Sequence, residues 1–466
     1  FIASTTSLGQ NPSRMNEYLD LLRHNRNFRY LWLGSVISQF GDWFNVIAAA
    51  EIITRLTDSG VALSYLFISR FLPLFLFSPI AGVLADRFDR KHLMILSDLV
   101  RGVTVLGFLF IHDPGDLWLF YLLTIVQFSF SALFTPARGA TLASVVRQEE
   151  LVAANALDSV TWSTMLALGA FTGGVVAAFF GAETAFVADS LSFLLSAYII
   201  ARIVMPRGAT TAAGEPGLME SAPAQPELAP AFAEPAPARR FAFLDGFRYL
   251  LQEPFILGIA LGKAGGSLVW GAINVLEITY ANDLFPLTGA TRFGISDPGT
   301  ATLGLIYVFS GLGTGIGPLV IRHWLGDAPK RLMLGTGLGF VFLAAGVAWL
   351  SRVDALGTLL AATTVRTIGT GTLWVFTSAL LQTIVPDRYR GRVFSFEFAA
   401  LTLTQSISVL VGGYLLDTAG LPIQGVMGVT AAVAVVMTGL WVSFHLRYLR
   451  PLREGRIPVR AGMGST

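Results

Sequence analysis

Apolar residues in this chain run in stretches of about 20, the length at which a helix crosses the hydrocarbon core of a bilayer. Twelve such stretches recur from end to end, and each predicts one spanning helix: 30–54, 61–84, 91–111, 117–135, 153–180, 184–204, 255–280, 300–321, 331–350, 355–385, 393–416 and 423–446. An even number of crossings places both termini on one side. The predicted fold class is an all-α integral membrane protein with 12 transmembrane helices.

One long interruption divides the series. Between Arg207 and Arg239 lie 31 residues with six Pro and ten Ala, including APAQPELAPAFAEPAPA, a composition that supports neither a packed core nor an unbroken helix. The predicted organisation is an N-terminal segment (1–29), a six-helix bundle (30–204), a linker (205–254), a second six-helix bundle (255–446) and a basic tail (447–466). Late in the linker, FAFLDGFRYLLQEP predicts a short amphipathic helix lying along the membrane. The halves echo one another, as pseudo-symmetric parallel repeats do. Helix 1 ends AAAEIITRL and helix 7 ends NVLEITYAN, which places Glu51 and Glu277 at matching positions.

Composition bears this out: 53% of residues are hydrophobic and 13% charged, where soluble domains carry about a quarter charged residues. The net charge of +2 offers nothing to a nucleic acid. The positions of the basic residues are more telling. Twenty-five of the 32 Lys and Arg fall on the side that holds both termini, while Arg55, Arg292 and Arg352 fall on the other and four lie inside helices. Because cytoplasmic loops are enriched in Lys and Arg, both termini are expected in the cytoplasm. The chain opens at Phe1 on a polar stretch without a secretion signal, which reads as a trimmed start. With no cysteine, disulfides and thiolate chemistry are excluded. The five histidines fall at predicted helix ends or in loops, so neither a metal site nor a cofactor site is expected.

Ionisable groups at membrane depth cost several kcal/mol unless paired or wet, which makes them functional candidates. They are Asp42, Glu51, Arg70, Asp98, Arg101, Asp158, Asp189, Lys263, Glu277, Arg366 and Glu397. At a rise of about 1.5 Å per residue, Asp42 and Arg70 lie about 18 and 14 Å from the outer ends of helices 1 and 2. They could form a fixed ion pair, or Asp42 could titrate as its surroundings change. Asp98 and Arg101, one turn apart, read as a local pair. Asp158 and Glu397 fall near predicted helix starts, where an acid suits the helix dipole. Depth makes Asp42 and Glu51 the first proton-coupling candidates, with Asp189 a third. Arg70, Arg366 and Lys263 are the buried basic partners.

The stretch GVLADRFDRK, between predicted helices 2 and 3, carries Gly82, Leu84, Asp86, Arg87, Arg90 and Lys91. It resembles the loop signature G-x-L-x-D-R-x-G-R-K of the major facilitator superfamily, with Asp89 where the family has Gly. SQFGDWF, FTPARGATLASVVRQEELVAANALDS and VPDRYRGRVFS resemble the branch of that family containing macrolide-efflux and siderophore-export proteins. The resemblance covers essentially the whole chain. It implies two bundles rocking about a central site, with Gly82, Asp86, Arg87, Arg90 and Lys91 as a conformational latch that Asp89 burdens with a further negative charge. It also implies a cavity lined by helices 1, 4, 7 and 10, offering Gln39, Asn45, Gln127, Trp270, Asn274 and Glu277 to a substrate.

Helix 5 contains GAFTGG, where related antiporters carry G-x-x-x-G-P-x-x-G-G; Gly169 and Gly173 match, but Gly174 replaces the Pro. GLGTGIG lies within a predicted helix, outside the strand-turn-helix setting of a nucleotide loop, and reads as close helix packing. No nucleophile elbow or metalloprotease pair is present, so the chain is not expected to be an enzyme. The leading expectation is a proton-coupled exporter of small amphipathic organic compounds in a bacterial inner membrane, with membrane lipid around it. The alternative is a lysophospholipid flippase or an accessory subunit of a membrane complex, for which the long outer loop at 281–299 would be the docking point.

Overall fold

The computed structural model describes residues 19–147, 150–205, 248–289, 297–326 and 328–453, and every extended element among them is helical. The N-terminal 18 residues, most of the linker and the end of the basic tail lie outside the described residues. So do the side chain of Asp86 and Gly82 beside it.

Twelve long rods are described. In the first half they are α1 (Arg26–Leu56), α2 (Gly60–Arg87), α3 (Arg90–Phe110, its last turn 3-10), α4 (Leu117–Val145), α5 (Leu151–Phe180) and α6 (Ala182–Ala201). In the second they are α7 (Pro254–Leu284, ending in a π turn), α8 (Pro298–Leu325), α9 (Pro329–Leu350), α10 (Leu356–Ile384), α11 (Asp387–Asp417) and α12 (Ile423–Arg453). Short polar residues set several starts: Asn25, Ser59, Asp89 and Asp297 each accept a bond from a backbone N–H of the first turn, groups that have no partner inside the helix.

By length and composition, nine rods among the described residues are apolar enough to cross a membrane. Of the other three, which are as long, α1 carries Asp42, Asn45 and Glu51, α10 is threaded with Thr around Arg366, and the described side chains of α5 form a shorter apolar run, Thr164–Phe180.

Several ends differ from the sequence expectation. α4 runs through Pro136 to Val145 because a proline removes one ladder bond while Arg138 beyond it is anchored, donating 2.6 Å to Ser35 Oγ and pairing with Asp158. α12 continues to Arg453, so His445 sits inside a helix instead of at its end.

In the first half α1 packs on α5 and α6, α3 on α4 and α6, and α2 on α4; in the second, α10 packs on α8 and α9, α7 on α11, and α12 on α9 and α7. The halves meet mainly along α2–α11 and α5–α8. Val103, Phe110, Leu319 and Trp324 project outward, exposed, as a lipid-facing surface requires and a wet one would not tolerate in such number.

Contact between the halves is close where glycines face each other. A Cβ on Gly174 of α5 would stand 2.9 Å from the Cα of Gly304 on α8, so the departure from Pro at Gly174 brings two backbones into contact. At the same end of the molecule, Asp417, the last residue of α11, accepts from Ser59 Oγ at 2.6 Å, Gly60 N at 2.8 Å and Val61 N at 2.9 Å. A carboxylate from one half thus caps the first turn of α2 in the other, where the helix dipole favours it. Asp58, Asp283 and Asp297 share this end, here termed the acidic end. Arg87, Arg90, Lys91, Arg202 and Arg331 mark the opposite, basic end.

A Cβ on Gly60 would lie 3.2 Å from that of Leu416, close to disulfide spacing, and the chain has no cysteine to interfere. Gly60→Cys/Leu416→Cys should therefore cross-link the halves on oxidation. Adding Asp417→Ala should cut the cross-linked fraction about fivefold, the value of a ~1 kcal/mol cap, measured by gel shift after protease cleavage in the 206–247 segment.

Candidate functional site

The motif at the basic end comes first in sequence. α2 ends at Arg87, and Asp89 caps α3, accepting from His92 N at 3.0 Å with the His92 ring nitrogen 3.1 Å away. The expected intrusive charge is thus committed to starting a helix. Lys91 Nζ donates to Ile203 O at 2.8 Å, tying α3 to the end of α6 within the first half. Arg87 is exposed and Arg90 half-buried; Asp86 and Gly82 fall outside what is described, so the latch remains a proposal.

Deeper in the first half, charges from four helices converge. Ser38, Gly41, Asp42 and Asn45 recur at three- and four-residue steps on α1, which puts them along one stripe. Asp189 of α6 lies against that stripe, its Oδ1 only 2.6 Å from where a Cβ on Gly41 would be; a larger residue at 41 would evict it. Asp189 is fully buried, neither of its oxygens has a hydrogen-bond partner, and the amide of Asn45 faces it without completing a bond.

Asp42 and Asp189 lie within electrostatic reach of each other and of Arg70 and Arg101. Of the two arrangements open for Asp42 and Arg70, a closed ion pair is not formed. Arg70 donates to Asn45 Oδ1 at 3.4 Å and stacks 4.5 Å over Phe128, because Asn45 stands one turn nearer along the stripe. Arg101 pairs with Asp98, which also accepts from Ser196 Oγ at 2.7 Å, and is sandwiched between Phe134 and Phe193. Gln127 is buried with neither amide atom bonded, and Gln39 is half-buried.

The second half is settled differently, with closed pairs. Glu277 of α7 and Arg366 of α10 form a buried ion pair. Lys263 lies 3.0 Å from Glu397 of α11, donates to Ser378 Oγ at 2.6 Å and stands 4.4 Å over Trp374. Glu397 is therefore a charge partner three turns into its helix and not a dipole acid; Asp158, paired with Arg138, is corrected likewise. Trp270 packs in the second half's core, and Asn274 turns its amide onto Trp270 O and Gly271 O of its own helix.

One residue escaped the sequence reading. Tyr307 of α8 is buried, its ring 5.6 Å from Trp43 of α1, and it feels Arg70 on one side and the Glu277–Arg366 pair on the other. Its ring contact with Trp43 crosses between the halves, with charged groups of both within electrostatic reach. An uncharged tyrosine in GLIYVFSG carries no flag beyond its hydroxyl at membrane depth.

This arrangement, paired helices from two halves with charges facing across the seam, has relatives. A family model described as "Transmembrane secretion effector" matches residues 21–215 and one described as "Major Facilitator Superfamily" matches residues 286–461. The chain belongs to the major facilitator superfamily. This facilitator is 27% identical to the MFS-type transporter YfiS of Bacillus subtilis, over 86% of this chain and 89% of that one. It is 27% identical to the enterobactin exporter EntS of Citrobacter koseri over 94% and 95% of the chains, and 21% identical to macrolide efflux protein A of Streptococcus pyogenes over 84% and 90%.

Two solved structures share the fold. A bacterial homologue of the human lysosomal transporter Spinster, inward-facing and unoccupied, gives a TM-score of 0.65 at 13% identity over 95% of this chain and 99% of that one. The nucleoside transporter NupG gives 0.64 at 11% over 92% and 99%. Like its relatives, this facilitator is a multi-pass membrane transporter and not an enzyme.

Glu51 was grouped with Asp42 by depth, yet in this facilitator it serves another place. It lines a cavity of about 960 Å3 at the acidic end, between the halves, nine residues and so about 13 Å along α1 from Asp42. Its repeat counterpart Glu277 is sealed in an ion pair, so the two matching acids have different fates. The described part of the loop at 281–299 folds back on its own helices: Thr302 Oγ1 donates to Phe285 O at 2.8 Å and Phe285 stacks on Tyr280; residues 290–296 lie outside the described part.

Removing one member of a buried ion pair strands the other, at a cost of about 3–5 kcal/mol, whereas replacing both with apolar residues is far milder. Arg366→Leu should therefore lower the thermal midpoint of the detergent-solubilised protein sharply, and Glu277→Leu/Arg366→Leu should restore most of the loss, read by temperature-ramped size-exclusion.

Proposed function

We propose that this facilitator is a proton-coupled exporter of small amphipathic organic compounds, with twelve crossings, both termini in the cytoplasm and a bacterial inner membrane as its home. Two bundles, 30–204 and 255–446, rock about the seam between them. The observation that supports coupling most strongly is the buried, unbonded Asp189 against the Gly41 face of α1, with half-buried Asp42, Arg70 and Arg101 within electrostatic reach. Two carboxylates within reach of shared guanidinium groups titrate as one coupled unit. A proton arriving there removes a counter-charge from Arg70 and weakens its hold on the α1 stripe, which it touches at Asn45.

Orphaned polar atoms support the same reading. Asn45, Gln127 and Asp189 carry buried atoms without partners, each costing about 1–3 kcal/mol in a purely structural role. A transported compound or a proton pathway gives them a use. The efflux relatives favour an amphipathic organic substrate, which would pass by the half-buried Gln39 and the buried polar Asn45 and Gln127 of the first half. At the basic end, Gly82, Asp86, Arg87, Arg90 and Lys91 would latch and release the bundles as they rock.

The test is transport into proteoliposomes under an imposed pH gradient, with a macrolide panel as probe. Asp42→Asn and Asp189→Asn should each reduce gradient-driven transport at least about tenfold, since losing one partner of a coupled set exceeds ~1.4 kcal/mol, while exchange without a gradient persists. Full coupling in Asp42→Asn, Asp189→Asn and Glu51→Gln alike would defeat the proposal. Tyr307→Phe, which keeps the ring and removes the hydroxyl, should lower the gradient-driven rate about threefold or more and leave the exchange rate unchanged, because only the link between halves is altered.

A further inference from the structure

The cavity at the acidic end has a composition that transport through the seam does not by itself require. Glu51 forms its floor, 92% buried by its 8% residual exposure, with Oε2 lacking any hydrogen-bond partner. Asp58 and Asp283 sit exposed at the rim, within electrostatic reach of each other, and neither is held by a hydrogen bond or ion pair among the described residues. The other two lining acids are already engaged: Asp297 caps α8 and Asp417 caps α2. The single arginine of the wall, Arg55, is drawn to Glu183 at 2.9 Å. Three carboxylates thus face one space whose single cation, Arg55, is within electrostatic reach of Glu51 but bonded to Glu183, so the acids outnumber it.

A buried carboxylate without a donor is costly, and a cavity rimmed by further acids concentrates positive charge. Among the described residues no three acidic or imidazole groups converge closely enough to hold a metal ion. The remaining wall mixes the polar Thr54, Thr279 and Asn282 with an apolar strip at Leu63, Leu416 and Ile423, and the volume of about 960 Å3 suits a whole organic molecule with both polar and apolar parts.

We propose that this vestibule is a binding site for an organic cation, an ammonium- or guanidinium-bearing compound with an apolar body, its charge on Glu51 and its approach steered by Asp58 and Asp283. The inference deepens the export reading and rests on it in one respect: the vestibule is taken as the mouth by which such a compound leaves.

Binding can be tested without transport. The full chain, purified in detergent, is titrated with ethidium, a permanent organic cation, and bound dye is read by fluorescence. Glu51→Gln should weaken binding about tenfold, as expected when one charge-assisted contact is lost. Asp58→Asn/Asp283→Asn, at the exposed rim where folding is not at stake, should weaken it about threefold and reduce the salt dependence. In this cysteine-free chain, Ile423→Cys places a lone thiol in the wall. Ethidium should slow its labelling by a maleimide, and Glu51→Gln should abolish that protection. Undiminished ethidium affinity in both acid variants, or labelling of Ile423→Cys unaffected by saturating dye, overturns the site. Loss of gradient coupling in the Asp42 and Asp189 variants, or its absence, leaves this result untouched, so the two proposals fail separately.

Discussion

A charge inside a helix that faces lipid and neighbouring helices has no water to solvate it, so its partner must be another protein group, on its own helix or on a neighbour. That constraint orders this transporter. In the second half it is met by closure: Glu277 with Arg366 and Glu397 with Lys263 join α7 to α10 and to α11. These pairs contribute more to holding particular helices in register than to net stability, since their desolvation offsets most of their attraction.

The first half meets the same constraint incompletely. Asp98 and Arg101 pair, and Arg138 with Asp158 fastens α4 to α5, but Asp42, Asp189 and Arg70 share one another without a closed bond. A fixed scaffold has no need of such a surplus. A switching one does, because a group with two near-equivalent partners can change between them for little energy. Tyr307 lies between this unsettled cluster and the settled pair of the second half, at the seam where the halves meet.

The seam combines close backbone approach, polar bonds and packed rings: the backbones meet at Gly174 and Gly304, Asp417 caps α2, Ser64 Oγ donates to Val409 O at 2.8 Å, and the Trp43 and Tyr307 rings lie 5.6 Å apart. The cap in particular places a single carboxylate from one half on free backbone N–H groups of the other, an attraction that water can replace when the halves separate.

How far the sequence reached follows from the range of each force. The long helices were legible because about twenty apolar residues in a row favour a continuous helix, which satisfies its own backbone groups away from water. The ends of α4 and α12 were misjudged because a polar residue near a helix end looks the same whether it stops the helix or is anchored by a distant partner, as Arg138 is by Asp158. Asp42, Asp189, Glu277 and Arg366 could be singled out as charges in apolar surroundings. Their partners could not, since pairing depends on how helices far apart in sequence turn toward each other: Arg70 leans on Asn45 and Phe128, Glu397 meets Lys263, and Asp89 caps a helix instead of disturbing a latch. Glu51 and Glu277 occupy matching places in the repeat, and only the tertiary structure left the first facing an open vestibule and sealed the second with a guanidinium. The chain by itself determined which residues must be buried in the membrane, because burial is a property of each segment; which of them bond was decided by the three-dimensional crossing of the helices, because an ion pair is a property of two.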